Sequence, residues 1–306
     1  MQKRRSILAA IGHTPFVELS LKGVEIPCFA KLEYLNPGGS IKDRSALFMI
    51  EEAERLGQLQ PGFTVIEGSS GNQGIAVAMI GAVKGYPVIV TVPERTSAEK
   101  VATLKAYGAE VIVCKEHGEG TGYTEVARAL HLSKPNSFML NQYYNPQNIE
   151  AHYRSTGPEI WEQSEGQLTH MIMAMGSCGT VMGVARFLKE QNPAIQIIGV
   201  DAATSALSAP IPSPYTLEGI GVDALDGLFD RKWVDRIETV HDEEVFVEVK
   251  ALAREEGLMV GLSSAAVTCV LKKIAATLPK NSRMGMILAD SGRAYLQKAF
   301  GVMAGA

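Results

Sequence analysis

The chain has 306 residues, 46% of them apolar, enough for two domains of ordinary size or one large one. Its net charge of −4, with no run of five like charges, argues against an electrostatic nucleic-acid binder, and no apolar stretch is long enough to span a membrane. Cys28, Cys114, Cys178 and Cys269 lie far apart with no C-x-x-C, so reduced thiols are expected rather than disulfides or zinc ligands.

The opening MQKRRSILAAIGHTP has a basic start, but its apolar run is too short for a signal peptide, and a cytoplasmic protein is expected. The first 40 or so residues do not follow the alternation seen later and are expected to pack with the C-terminal block. Their last part, NPGGSIKDR (36–44), joins a Pro-Gly-Gly turn to an S-x-x-D capping box, which predicts a helix starting at Ser40. Lys42 then falls in the first turn, at the positive end of the helix dipole, where a cation is disfavoured by roughly 0.3–1 kcal/mol.

From there, short β-rich runs alternate with longer helical patterns. TVIEG (64–68), PVIVTV (87–92), EVIVC (110–114) and SFMLN (137–141) read as buried strands. IAVAMIGAVKG, SAEKVATLKAYG and YTEVARALHL between them read as helices. A seam near 142–150 (QYYNPQNIE) precedes a second block. There HMIMAM, QIIGVDA and MGMILAD read as strands, and VMGVARFLKEQN and SAAVTCVLKKIAATL as helices. The alternation predicts an α/β fold of two domains, each with a mainly parallel sheet covered on both faces.

Four junctions are rich in Gly and Ser: PGGSIKD, EGSSGNQG (67–74), MGSCGTVMG (175–183) and VGLSSAA (260–266). Any one of them alone reads better as a compact turn. Four together present backbone N–H groups at helix starts, which suits a shared anionic ligand at the carboxyl ends of parallel strands. The dinucleotide and P-loop fingerprints are absent, and GSCGT suits a single phosphate. SAEK (97–100) matches S-x-x-K without the companion motifs and reads as coincidence. The six histidines show no metal-binding spacing, so no metal is expected. A monophosphate cradle together with a lysine kept as a free amine is what pyridoxal phosphate requires, held as a Schiff base. A helix N-terminus and burial both disfavour the charged form of Lys42.

These residues carry a family resemblance. IGHTPFVEL (11–19), KLEYLNPGGSIKDR (31–44), EGSSGNQGIAVA (67–78), YNPQNIEAHYRSTGPEIWEQ (144–163), GSCGT (176–180), EGIG (218–221), EEGLMVGLSSAA (255–266) and LADSGRAYL (288–296) span nearly the whole chain. They resemble the fold-type II pyridoxal-phosphate-dependent β-replacement enzymes, the cysteine synthases and the catalytic core of cystathionine β-synthases. The resemblance implies a tryptophan synthase β-like fold. Residues 1–45 with 147–306 would form a large cofactor-binding domain, and 46–146 a small mobile substrate-binding domain.

It also implies roles. Lys42 resembles the Schiff-base lysine, Asn72 the partner of the cofactor's 3′-oxygen, and Ser291 the serine facing the pyridine nitrogen. Gly176, Ser177, Cys178, Gly179 and Thr180 match the phosphate loop. Ser69, Ser70, Asn72 and Gln73, with Gln142, match the substrate-carboxylate loop, and Gly219, Ile220 and Gly221 the active-site mouth. Two residues depart from the pattern. Gln73 stands where cysteine synthases usually have threonine, and Cys178 replaces a usual glycine or threonine. The expected activity is cysteine synthase: O-acetyl-L-serine or O-phospho-L-serine plus sulfide gives L-cysteine. The alternatives are a cystathionine β-synthase-like or diaminopropionate-type synthase, and a weakened homologue that mainly binds the C-terminal tail of a serine acetyltransferase. A homodimer is implied by the resemblance alone.

Overall fold

The computed structural model describes residues 6–69, 71–115 and 122–301. Its contacts divide the chain into two units, Met1–Ile11 with Asn36–Asn148, and Gly12–Leu35 with Ile149–Ala306.

The second unit opens with an antiparallel hairpin, β1 (Phe16–Leu19) and β2 (Cys28–Leu32). The first unit follows with helix α1 (Lys42–Arg55), β3 (Thr64–Gly68), α2 (Asn72–Lys84), β4 (Val88–Pro93), α3 (Ala98–Ala106), β5 (Glu110–Cys114), α4 (Tyr123–Ser133) and β6 (Ser137–Met139). Its four strands pair in parallel in the order β5-β4-β3-β6. Helix α1 buries Ala46, Met49, Ile50 and Ala53, the i, i+3, i+4, i+7 stripe of an amphipathic helix, in a core shared with Ile75, Val77 and Ile80 of α2. Helix α2 is apolar on most of its surface because it lies between α1 and the sheet. Glycines permit that fit: a Cβ on Gly74 would stand 2.8 Å from the Val90 side chain.

The capping box predicted at Ser40 does not form. Helix α1 begins at Lys42, and its N-cap residue Ile41 makes no side-chain cap bond. The Asp43 carboxylate turns back to accept from Gly38 N (2.5 Å), and Ser40 Oγ accepts from Lys42 N (3.2 Å). Gly38 has no Cβ to block the carboxylate, so the acid ties the turn down instead of closing a box. Lys42 remains in the first turn.

The second unit continues with α5 (Gln147–Arg154, which begins at the boundary), α6 (Thr156–Gln163), β7 (His170–Ala174), α7 (Gly179–Gln191), β8 (Gln196–Ala202) and β9 (Arg236–Val240). It closes with α8 (Asp242–Glu255), α9 (Leu262–Ala275), β10 (Met284–Leu288) and the short α10 (Leu296–Phe300). The six-stranded sheet has the order β1-β2-β10-β7-β8-β9, parallel everywhere except the β1–β2 pair. Helix α9 is buried along most of its length and forms the core with α8, β10 and β7. Each unit is therefore an α/β sandwich with a mainly parallel sheet. All four cysteines are buried and free. Among the described residues no helix is long and apolar enough to cross a membrane.

Candidate active site

Strand order decides where the loops gather. In the first unit β3 is flanked by β4, the next strand in sequence, and by β6, the last strand of that sheet. The chain order reverses there, so the loops after β3 and β6 leave neighbouring strand ends on the same edge. That is where parallel α/β sheets bind ligands. The loop after β3 holds Ser69, Asn72 and Gln73; the loop after β6 holds Gln142. Ser70 lies outside the described residues.

A buried carboxyl joins the two loops. Glu67, at the end of β3, accepts from Asn141 N (2.9 Å) and Gln142 N (3.4 Å). Burial pushes its pKa up to about 8, against those two hydrogen bonds. Asn141 takes a left-handed conformation (φ 55°). The predicted strand 137–141 therefore ends early, at Met139, and the chain turns toward Glu67. Asn148 Nδ2 donates to Gln142 O (2.8 Å) and fixes the far side of the turn.

Ser69 Oγ accepts from Gly71 N (3.2 Å) and Gly74 N (3.1 Å), folding the loop onto the start of α2. Asn72 is the first residue of α2. Gln73, in the first turn, is 2% exposed. Its Oε1 accepts from Ser45 Oγ (3.3 Å), and its Nε2 has no hydrogen-bond partner among the described residues. Ser45 stands one turn after Lys42 on α1 and also reaches Lys42 O (3.2 Å). The sequence reading missed Ser45 and Glu67. Their signal is positional: one lies a turn beyond the candidate lysine, the other at the carboxyl end of the strand feeding the loop.

The second unit has its own reversal. Strand β7 lies between β10 and β8, so the loops leaving β7 and β10 are neighbours. The first holds Gly176, Ser177, Cys178, Gly179 and Thr180; the second holds Ser291. Helix α7 begins at Gly179 with no side-chain cap bond, and its N-cap residue Cys178 is left-handed (φ 63°). A Cβ on Gly176 would stand 3.2 Å from Gly219 O, a tight approach that glycine relieves where this loop lies against the segment holding Gly219, Ile220 and Gly221. Gly221 N donates to Met175 O (2.8 Å), and Gly219 and Gly221 both need left-handed φ.

Below the loop, His152 is fully buried between Thr156 Oγ1 (2.9 Å) and Thr180 Oγ1 (3.2 Å). Asp201, at the end of β8, accepts from the hydroxyls of Ser205 and Ser208 and from Val222 N (3.0 Å), anchoring the Gly219-to-Gly221 segment. Burial raises its pKa. Ser291 Oγ accepts from Arg293 N (3.3 Å), capping a short 3-10 helix, Gly292–Tyr295. Among the described residues no cluster of three or more His, Cys, Asp or Glu could hold a metal ion.

A helix start without a side-chain cap, next to a glycine whose missing Cβ leaves room at the backbone, is the donor set for one phosphate group. The family model for pyridoxal-phosphate dependent enzymes matches residues 7–290. The chain belongs to that family. Its cofactor is pyridoxal phosphate, and the residues present fit it: the glycine loop before α7 suits the phosphate, and Lys42 supplies an amine at a helix start. The chain is 42% identical over 304 residues to a cystathionine beta-synthase of Apis mellifera, covering 95% of this chain and 60% of that one. It spans little more than half the length of such synthases from rabbit and mouse, at 55% and 54%. It is also 40% identical to cysteine synthase B of Pseudomonas aeruginosa over 95% of both chains. Among solved structures, the O-acetylserine dependent cystathionine beta-synthase of Helicobacter pylori matches with a TM-score of 0.92 and 37% identity, over 99% of this chain and 100% of that one.

Proposed function

We propose that the protein catalyses β-replacement and is a cysteine synthase, converting O-acetyl-L-serine or O-phospho-L-serine and sulfide to L-cysteine. The observation that carries this reading is the 40% identity to cysteine synthase B over 95% of both chains. Bound pyridoxal phosphate supplies an aldehyde that condenses with amines and a conjugated ring that draws electrons from the substrate Cα. Lys42 Nζ holds the cofactor between turnovers and takes the proton from the substrate Cα during them. The backbone N–H groups from Gly176 to Thr180 would bind the phosphate of the bound cofactor, and Asn72 would donate to its ring oxygen.

Ser69, Ser70, Asn72, Gln73 and Gln142 orient the substrate carboxylate, and Gly219, Ile220 and Gly221 line the mouth. Ser291 offers the ring nitrogen a neutral hydroxyl, where a carboxylate would keep that nitrogen protonated. Proton removal by Lys42 is then coupled to departure of acetate or phosphate from Cβ, so substrates with a good leaving group are favoured. The protein works as a homodimer in this reading.

A second reading has specific support. The Helicobacter pylori enzyme, described as an O-acetylserine dependent cystathionine beta-synthase, is covered in full at 37% identity, so homocysteine or another nucleophile stands as the alternative to sulfide. Binding of a serine acetyltransferase tail is a further proposal, from the same resemblance.

The test is a titration of the purified, cofactor-loaded protein with O-acetylserine, O-phosphoserine or serine, without a nucleophile. The visible band should shift with an activated serine and return when sulfide is added, releasing cysteine. A response to serine alone removes the cysteine synthase reading. Return of the band with homocysteine but not sulfide selects the second reading. A colourless protein that binds no pyridoxal phosphate removes both.

A further inference from the structure

The strap Gly219-Ile220-Gly221 has no polar side chain of its own, and both glycines sit in the left-handed region, at φ 77° and 108°. Glycine loses more conformational freedom on folding than any other residue. A segment of this composition therefore takes one shape only where its surroundings impose it. On one side the strap is held by backbone, Gly221 N donating to Met175 O (2.8 Å).

On the other side the hold is a side chain. Asp201 lies on β8, a strand flanked by β7 and β9, and is fully buried. Its Oδ1 accepts from Val222 N (3.0 Å), the amide that follows the strap. Its Oδ2 accepts from Ser205 Oγ and Ser208 Oγ, both at 2.5 Å. A carboxylate only accepts, and here each of its oxygens faces donors. Ser208 N donates to Ser205 Oγ (3.3 Å) and Leu207 N to Val222 O (3.0 Å), so the 205–208 turn grips Val222 from its carbonyl side. A second acid extends the arrangement: Asp223 accepts from Ala206 N (3.2 Å) and from the Tyr215 hydroxyl (2.6 Å). A Cβ on Gly221 would collide with that hydroxyl, so the tyrosine tip closes over the strap at a glycine.

We propose that Asp201 is a positioning residue that sets nucleophile selectivity: by fixing Val222 N it gives the strap, and so the mouth, a single shape. The proposal rests on reading Gly219 to Gly221 as the mouth. Lys42 and the loop after β6 belong to the other unit, so a change at Asp201 bears on the second reactant rather than the first. A mouth of one shape discriminates between nucleophiles of different size. A strap released from β8 samples several shapes and discriminates less.

The test follows the visible band of the cofactor-loaded enzyme in two steps. O-acetylserine or O-phosphoserine, whichever acts, first shifts the band; sulfide or L-homocysteine, added separately, then returns it. The wild type should separate the two return rates by more than about tenfold, in whichever direction. Asp201→Ala should leave the first step within about twofold and bring the two return rates closer by at least about tenfold, the scale of a lost hydrogen bond to a charged group. Asp201→Asn keeps an oxygen for Val222 N and turns its NH2 to the serine oxygens, and should recover most of the selectivity.

A folded, cofactor-loaded Asp201→Ala enzyme that keeps the wild-type selectivity overturns the proposal, even if both steps slow together, which is the pattern of a merely structural residue. A wild type that does not separate the two nucleophiles overturns it as well. If Asp201→Ala does not fold, Ser205→Ala combined with Ser208→Ala removes the hydroxyls that aim the carboxylate and leaves the carboxylate in place. That double variant should lower the selectivity at least about threefold, the low end for a hydrogen bond, and an unchanged selectivity overturns the proposal. Ile220→Ala alters the strap directly and tests the reading beneath. If it leaves the selectivity unchanged, the mouth reading falls and the proposal with it; if it changes the selectivity while Asp201→Ala does not, only the proposal falls.

Discussion

Glu67 shows how much one buried group can couple to pH. Its ordinary carboxyl value of 4.5 is raised to about 8 by burial, the Asn141 and Gln142 amides offsetting only part of that cost. Below pH 4.5 folded and unfolded chains both keep the proton. Between 4.5 and 8 only the folded chain does, so rising pH favours unfolding. The stability from this group is full below the unfolded value and is lost as pH rises through the folded one. Glu67→Gln removes the titration and keeps a carbonyl acceptor. The melting-temperature difference between variant and wild type should be smallest near pH 5 and grow in the variant's favour toward pH 9; a flat difference contradicts the assignment. Lys42→Ala should abolish the visible band of covalently held pyridoxal phosphate and lower turnover by at least about a thousandfold. An unchanged band would remove Lys42 as the cofactor lysine.

Among the elements, two contacts carry unusual weight. Lys31 on β2 is fully buried, and its Nζ meets Thr14 O (2.6 Å), Glu159 Oε2 (2.6 Å) and Gln163 Oε1 (2.7 Å), tying the N-terminal hairpin to α6. Glu159 Oε1 also accepts from His13 N (3.0 Å). Lys31→Met strands a carboxylate in a largely dry site, so chemical denaturation should show a loss of about 3–5 kcal/mol. The second contact is a helix crossing. A Cβ on Gly183 of α7 would stand 2.7 Å from both His152 Cβ and Tyr153 N of α5, and backbone does not yield as a flexible side chain does. Gly183→Ala should cost about 1–3 kcal/mol in the same measurement. Cys178 shows the opposite compromise: its left-handed backbone costs about 1–2 kcal/mol, and its buried side chain fills the loop before α7.

At the scale of the whole molecule, both units follow one architectural rule. In each parallel sheet the chain order reverses beside one strand, and the candidate loops leave the two strand ends at that reversal. A ligand bound by the folded protein and not by the unfolded chain stabilises it by mass action. Free pyridoxal phosphate at a hundred times its dissociation constant should add about 2.7 kcal/mol over the cofactor-free protein. Thermal melting across a cofactor titration checks this, and a melting temperature independent of cofactor would contradict the fit.

The alternation of β-rich runs with helical patterns was legible in the sequence because buried parallel strands and amphipathic helices have distinct periods. So was the class of ligand, since glycine-rich helix starts and one misplaced lysine are local features. The hairpin β1–β2, strand β9 and helix α8 were not read, although each holds an ordinary run of residues. Two of those strands are placed only by partners distant in sequence: β2 pairs with β10, and β9 with β8. The capping box failed for a similar reason, since Asp43 chose between two amides according to how the turn at Gly38 closed. Local chemistry sets which groups are available, and periodicity sets which elements form. Which loops become neighbours depends on strand order, and strand order is decided only when the sheet assembles.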